Sequence, residues 1–196
     1  RWLLAFLPLL APMSARAQTA ASTLNTGDTA WVLASTALVL LMTPGLAFFY
    51  GGMTRAKNTL KMMMMSFVTI AVVSVLWVAF GYELAFGDSG SPYIGGLGWS
   101  HLSGAVDQLV SNGAQYPIPV LAFSAFQLMF AVITPALISG AIADRVRFVT
   151  WAVFVAVWAT VVYFPVAHWV FDFGGDDSTG AGWLAARGVL DFAGGT

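Results

Sequence analysis

Four stretches of the chain run for twenty or more positions without an Asp, Glu, Lys or Arg: residues 31–50, 62–81, 121–143 and 148–171. Polar, Gly-rich or charged segments separate them. The third stretch is the clearest, since no charge occurs between Asp107 and Asp144 and it stops abruptly at Asp144-Arg145-Val146-Arg147. A helix apolar on every face at that length predicts a lipid-spanning segment rather than a core helix of a soluble domain. Thr43-Pro44-Gly45 interrupts the first stretch, which a bundle tolerates because neighbouring groups satisfy the freed carbonyls. The expected architecture is an all-α, polytopic transmembrane bundle of four full spans. A polar loop over 87–115 joins the second and third, and the start of a fifth follows Asp191.

The third span carries a further pattern on one face. Phe123, Phe126 and Phe130 are spaced three and then four apart, so their rings are expected along one side, with Ser124 or Gln127 at its margin. Small residues (Gly51-Gly52 and Ser139-Gly140-Ala141) let backbones approach closely, as membrane helices require.

Ahead of the spans, Arg1 precedes a short apolar run, and Ala15-Arg16-Ala17 supplies small residues at cleavage-site offsets. Residues 1–17 therefore read as a secretory signal cleaved before Gln18. The alternative is an uncleaved anchor, although the run is too short to span. Arg1 in place of Met predicts a native start further upstream. Residues 20–27 form a polar lead-in without a fold signal of their own.

Charge sets the expected orientation. Arg55, Lys57 and Lys61 fall between spans one and two, and Arg145 and Arg147 between spans three and four. The positive-inside rule puts both connections in the cytoplasm. Asp88, Asp107, Asp172, Asp176 and Asp177 lie on the opposite side with Arg187, so the mature N-terminus is expected outside.

Composition narrows the function. Hydrophobic residues make up 59% and charged residues 9%, against about 25% charged in soluble domains. A net charge of -1 offers no basic stripe for nucleic acid. With no cysteine there is no disulfide or thiolate metal site. The sequence contains no His/Asp/Glu cluster at metal spacing, no nucleophile elbow and no phosphate-binding glycine loop, so neither a cofactor nor an enzymatic reaction is expected.

Few residues remain as chemical candidates. Asp191 precedes an apolar Gly-containing segment, where it reads either as the N-cap of the next helix or as a substrate contact. Phe126 and Phe130 read either as bundle packing or as rings facing a small cation, an attraction of roughly 0.5–2 kcal/mol each. Glu83 and His168, at span ends, are expected at the interface rather than as ligands. Tyr50, Trp77, Trp158 and Tyr163 read as interface or packing residues.

Three blocks resemble a known family. Pro44-Gly45-Leu46-Ala47-Phe48-Phe49-Tyr50-Gly51-Gly52, followed by Arg55, Lys57 and Asn58, is similar to the end of the first helix in ammonium transporters of the Amt/Rh superfamily. Ala122, Phe123, Phe126, Phe130, Ala131 and Thr134, then Ala141 and Ala143-Asp144-Arg145 with Arg147-Phe148, resemble its third helix and following loop. Asp191-Phe192-Ala193-Gly194-Gly195-Thr196 resembles the start of its fifth-helix signature.

The resemblance implies an eleven-helix protomer of two pseudo-symmetric halves, assembled as a homotrimer with one narrow pore per subunit in a bacterial cytoplasmic membrane. Residues 18–196 would be the N-terminal part of that membrane domain. The implied substrate is ammonium/ammonia, with methylammonium as an analogue, and a cytoplasmic PII-type protein is an implied regulator. Phe130 matches the phenylalanine that serves both the outer aromatic cage and the gate, with Phe126 one turn away. Asp191 matches the family's essential aspartate. Phe171 stands where many relatives carry the cage tryptophan, which keeps a ring face but loses the indole donor; Trp169 is a substitute on another helical face. The second gate phenylalanine, the cage serine and the paired histidines would lie beyond Thr196, and His168 is not one of that pair. A rival reading is an ammonium sensor with the same membrane fold and a C-terminal signalling extension. A third, a structural membrane subunit, has composition alone behind it.

Overall fold

The computed structural model describes residues 24–87, 91–96, 102, 105, 108–111, 115–174 and 181–192. The leader boundary at residues 17 and 18, the loop aspartates 88, 107, 176 and 177, and residues 193–196 lie outside the described residues.

Helix α1 (Thr26–Met53) begins five residues earlier than the charge gap suggests, because the polar lead-in does contain a start signal. The Asn25 side chain accepts the backbone N–H groups of Gly27 (2.9 Å) and Asp28 (3.2 Å), satisfying two of the helix's orphan donors. Asp28 in the first turn suits the positive end of the helix dipole. Pro44 sits inside the helix without ending it.

Helix α2 (Thr59–Leu76) follows a 3-10 turn at Ala56–Asn58 and continues through a π-helical turn, Trp77–Gly81, into α3 (Tyr82–Phe86). Helix α4 (Val120–Ile138) ends in a 3-10 turn, Ser139–Ile142. Helix α5 (Phe148–Trp158) passes through a second π turn, Ala159–Tyr163, into α6 (Phe164–Phe171). Four continuous apolar segments result, Thr26–Met53, Ala56–Phe86, Val120–Ile142 and Phe148–Phe171, each long and apolar enough to cross a membrane.

The connecting loop holds one departure from an all-α chain. Strands β1 (Leu109–Ser111) and β2 (Gln115–Pro119) pair antiparallel, with Leu109 opposite Pro119 and Ser111 opposite Gln115. Pro117 O accepts the Asn25 N–H at 2.8 Å, tying the start of α1 to this pair. We call the end of the bundle carrying the 54–58 and 143–147 connections the basic end, and the opposite end, with the strand pair, the far end. At the basic end Asp144 adopts φ 65°, a left-handed conformation that Asp tolerates, and turns the chain sharply between α4 and α5.

Helix α2 is central, packing on α1, α4 and α5, while α1 also packs on α4 and α3 on α6. Met62, Met65, Val73, Trp77, Trp151, Val155 and Phe164 belong to the buried core. Side-chain hydrogen bonds join helices where they meet: the Trp151 indole N–H donates to Met65 O at 2.8 Å and lies 3.2 Å from Thr69 Oγ1. The Tyr50 hydroxyl donates to Leu137 O at 3.2 Å, its ring lying against Gly140. The outward faces stay apolar: Trp31, Leu38, Leu41, Phe48, Phe49, Val149, Val153 and Val161 are all exposed. Such a surface matches lipid rather than water.

Gly81 marks a close approach of the second and fourth spans. A Cβ there would stand 2.6 Å from Phe164 Cζ, and that ring is fully buried against Trp77, Phe80 and Tyr163. Gly81→Ala is therefore expected to destabilise the bundle by about 1–3 kcal/mol through overpacking. The thermal unfolding midpoint in detergent measures this, and an unchanged midpoint would refute the close contact.

Candidate functional site

A cavity of about 440 Å³ lies between α4 and the π turn and α6 of the fourth span. Phe126, Gln127, Phe130 and Thr134 form the α4 wall, Trp158, Val162, Tyr163, Val166, Ala167 and Phe171 the opposite wall, and Asp191 contributes a carboxylate. The sequence-nominated residues Phe126, Phe130, Phe171 and Asp191 thus line a single space.

The rings are not arranged quite as their spacing suggests. Phe126 and Phe130 meet at 5.0 Å between centroids with planes at 75°, an edge-to-face pair rather than a parallel stack. Phe123 departs from the group and packs edge-on against Phe86 at 5.1 Å; three residues nearer the start of α4, it lies about 4.5 Å further along the helix axis, beside the end of the second span. Of the two polar residues expected at the margin, Gln127 reaches the cavity. Ser124 is buried on the other side, where its hydroxyl accepts the Trp77 indole N–H at 3.1 Å. The Thr134 hydroxyl donates to Phe130 O at 2.7 Å and sits on the cavity wall within hydrogen-bonding reach of the Tyr163 hydroxyl.

Trp158 and Tyr163 line the cavity instead of serving as mere interface residues, and the π turn explains how. Phe171 lies thirteen positions after Trp158, which in an unbroken α-helix would put it about 220° around the axis. The wider ring of a π turn takes back about 100°, bringing the two onto adjoining faces. π turns occur often at functional sites. Apolar composition carries no signal for such a turn.

His168 is not an interface residue. It is fully buried, with Nδ1 3.2 Å from both Ala85 O and Asp172 Oδ2 and Nε2 3.0 Å from Ser91 O. Glu83 lies half-buried against Gly87, Gly95 and Gly96, away from the cavity. Trp169 donates its indole N–H to Tyr93 O at 2.6 Å and packs edge-on to Trp183, on a face of α6 that does not line the cavity. Asp191 sits in irregular chain after the 3-10 turn Ala185–Arg187 and the left-handed Gly188 (φ 75°). Its reading as an N-cap depends on residues 193–196, outside the described residues. Among the described residues no group of His, Cys, Asp and Glu has metal-binding geometry.

The cavity combines apolar walls, aromatic rings, hydroxyls and one carboxylate. Ring faces and a carboxylate can attract positive charge, while apolar walls offer little to replace its hydration.

The architecture is that of a multi-pass membrane protein, and comparison with known proteins narrows it further. Residues 30–196 match the model of the Ammonium Transporter Family. An ammonium transporter of Mycobacterium tuberculosis (strain H37Rv) is 52% identical over 184 residues, covering 87% of this chain and 39% of that protein. One from Bacillus subtilis is 48% identical over 169 residues, covering 86% and 39%. The crystal structure of Candida albicans Mep2 superposes with a TM-score of 0.71 at 34% identity, covering 88% of this chain and 36% of that one. The chain belongs to the Ammonium Transporter Family. It spans about two-fifths of the length of these relatives. They are named as transporters, not as enzymes.

The Trp77–Ser124 hydrogen bond ties α4, which carries the aromatic wall, to the second span. Ser124→Ala leaves a buried indole N–H without its acceptor and is expected to cost about 1–3 kcal/mol. Thermal unfolding in detergent reads the loss; a midpoint equal to that of the unaltered protein would show that the bond contributes nothing.

Proposed function

We propose that this chain forms part of an ammonium transporter, in which ammonium is recruited from outside the cell, sheds its hydration at the outer site, and passes its proton to water there before neutral ammonia enters a narrow apolar path. One observation carries the reading: Phe126, Phe130, Phe171 and Asp191 converge on one cavity. Desolvation supplies the mechanism. Moving a bare ammonium ion into a low-dielectric interior costs on the order of tens of kcal/mol, so a buried amine tends to shed its proton instead. Asp191 and the aromatic rings offset the first dehydration steps, and the apolar walls below favour neutral ammonia. Potassium has no proton to lose, which provides selectivity beyond size. Phe171, in the place of a tryptophan, gives a weaker cation attraction while keeping the ring.

The same reading extends to the surroundings of the site. The far end faces outward across a bacterial cytoplasmic membrane, a reading supported by the cations at the basic end under the positive-inside rule. Residues 1–17 act as a cleaved leader. The native protein assembles as a homotrimer, passes methylammonium as well as ammonium, and is blocked by a cytoplasmic PII-type regulator. The sensor reading makes a different prediction, ligand binding without flux.

The test uses the native gene product containing this chain, reconstituted in liposomes. Phe126→Ala with Phe130→Ala is expected to change methylammonium uptake or its discrimination against potassium about tenfold or more, an effect of the size of a lost cation contact. Flux and selectivity equal to those of the unaltered protein would remove both rings from the gate. Specific ammonium binding with no flux in the unaltered protein would favour the sensor.

A further inference from the structure

Phe171 is the last residue of α6, and the last turn of a helix leaves carbonyls without helical partners and tends to fray. A ring at that position lines the cavity reproducibly only if something outside the helix fixes the turn. The transport mechanism makes no use of His168, yet this residue is fully buried one turn before Phe171 and surrounded by acceptors. Ala85 O, an orphan carbonyl in the last turn of α3, lies 3.2 Å from Nδ1, and Ser91 O in the following loop lies 3.0 Å from Nε2. Asp172, which follows Phe171 directly, places Oδ2 3.2 Å from Nδ1, and its Oδ1 accepts the Gly174 N–H at 3.1 Å.

Residues 182–184 complete the junction. Gly182 N–H donates to Asp172 O at 2.8 Å and Leu184 N–H to Trp169 O at 3.1 Å. A Cβ on Gly182 would overlap His168 O, so backbone lies directly on the end of α6. Pro92 O accepts the Trp183 N–H at 2.9 Å, joining this segment to the loop that His168 also holds. The end of α3, the loop at Ser91 and Asp172 therefore meet at the His168 imidazole, and residues 182–184 lie over the backbone at the end of α6.

We propose that His168 is a positioning residue for the transport site: by pinning the end of α6 to the end of α3 and the loop at Ser91, it fixes where the Phe171 ring stands against the cavity. This rests on the transport reading above. A residue that only stabilised the fold would change the amount of protein in the membrane. A residue that positions Phe171 changes substrate affinity, and does so only while that ring is present.

The experiment measures methylammonium uptake by the native gene product in liposomes. His168→Ala is expected to raise the apparent KM about tenfold with maximal uptake within about twofold, and the rise should shrink below about threefold in a Phe171→Ala background. An unchanged KM, or the same rise in both backgrounds, overturns the assignment. If His168→Ala does not accumulate in the membrane, Asp172→Asn takes its place: a KM raised in the unaltered background but not with Phe171→Ala supports the assignment, and wild-type KM overturns it. Unaltered protein that carries no methylammonium contradicts the transport reading and this assignment together. Unaltered protein that transports, beside a variant of wild-type KM, contradicts this assignment alone.

Discussion

The constraint on which everything else rests is that lipid accepts no unpaired backbone group. Within the four spans the chain has almost no choice but helix, and any departure must be paid for in internal hydrogen bonds. The departures are therefore informative. Both π turns lie within spans, and they meet across Phe164, whose ring packs at 5.6 Å on Trp77 and at 6.2 Å on both Phe80 and Tyr163. The first lets the second and fourth spans approach at Gly81. The second turns Trp158 and Phe171 toward a common space.

That space is where the nominated side chains converge. A tightly packed set of four apolar helices has no intrinsic reason to leave a cavity, and interiors are normally filled to near-crystalline density. Here α4 is held to the second span by the Trp77–Ser124 bond, and α6 is held to the end of α3 by His168. The helices are thus fixed with rings facing one another across a gap rather than interlocked. A carboxylate carried on irregular chain completes it. Rigid hydrogen-bonded supports lie behind the walls, and the walls themselves are aromatic.

Much of this was legible in the sequence. Missing charge located all four spans, since a lipid environment removes any use for Asp, Lys or Arg over that length. The spacing of Phe126 and Phe130 put two rings on one face, and the resemblance to ammonium transporters nominated Phe171 and Asp191 for the same space. Other features left no trace in a one-dimensional pattern. A π turn depends on how neighbouring helices fit, so Trp158 and Tyr163 read as packing. Ser124 and Gln127 are both polar and near the same face; only the position of Trp77 across the helix interface decides between them. His168 read as an interface residue because its partners are two backbone carbonyls and an aspartate, and carbonyls have no sequence identity. The strand pair over 109–119 was hidden for a similar reason, since its tie to the start of α1 is a backbone bond from Asn25 N–H to Pro117 O.

The account turns on the cavity drawing its cation from outside the cell, and sidedness tests this most directly. Arg187, exposed at the far end, and Lys57, exposed at the basic end, are replaced singly by cysteine in a native gene product free of other cysteines. An impermeant maleimide applied to intact cells should modify the cysteine at 187 at once and the one at 57 only after the membrane is opened. Labelling of 57 in intact cells, with 187 protected until permeabilisation, would turn the site to the cytoplasm and contradict the account.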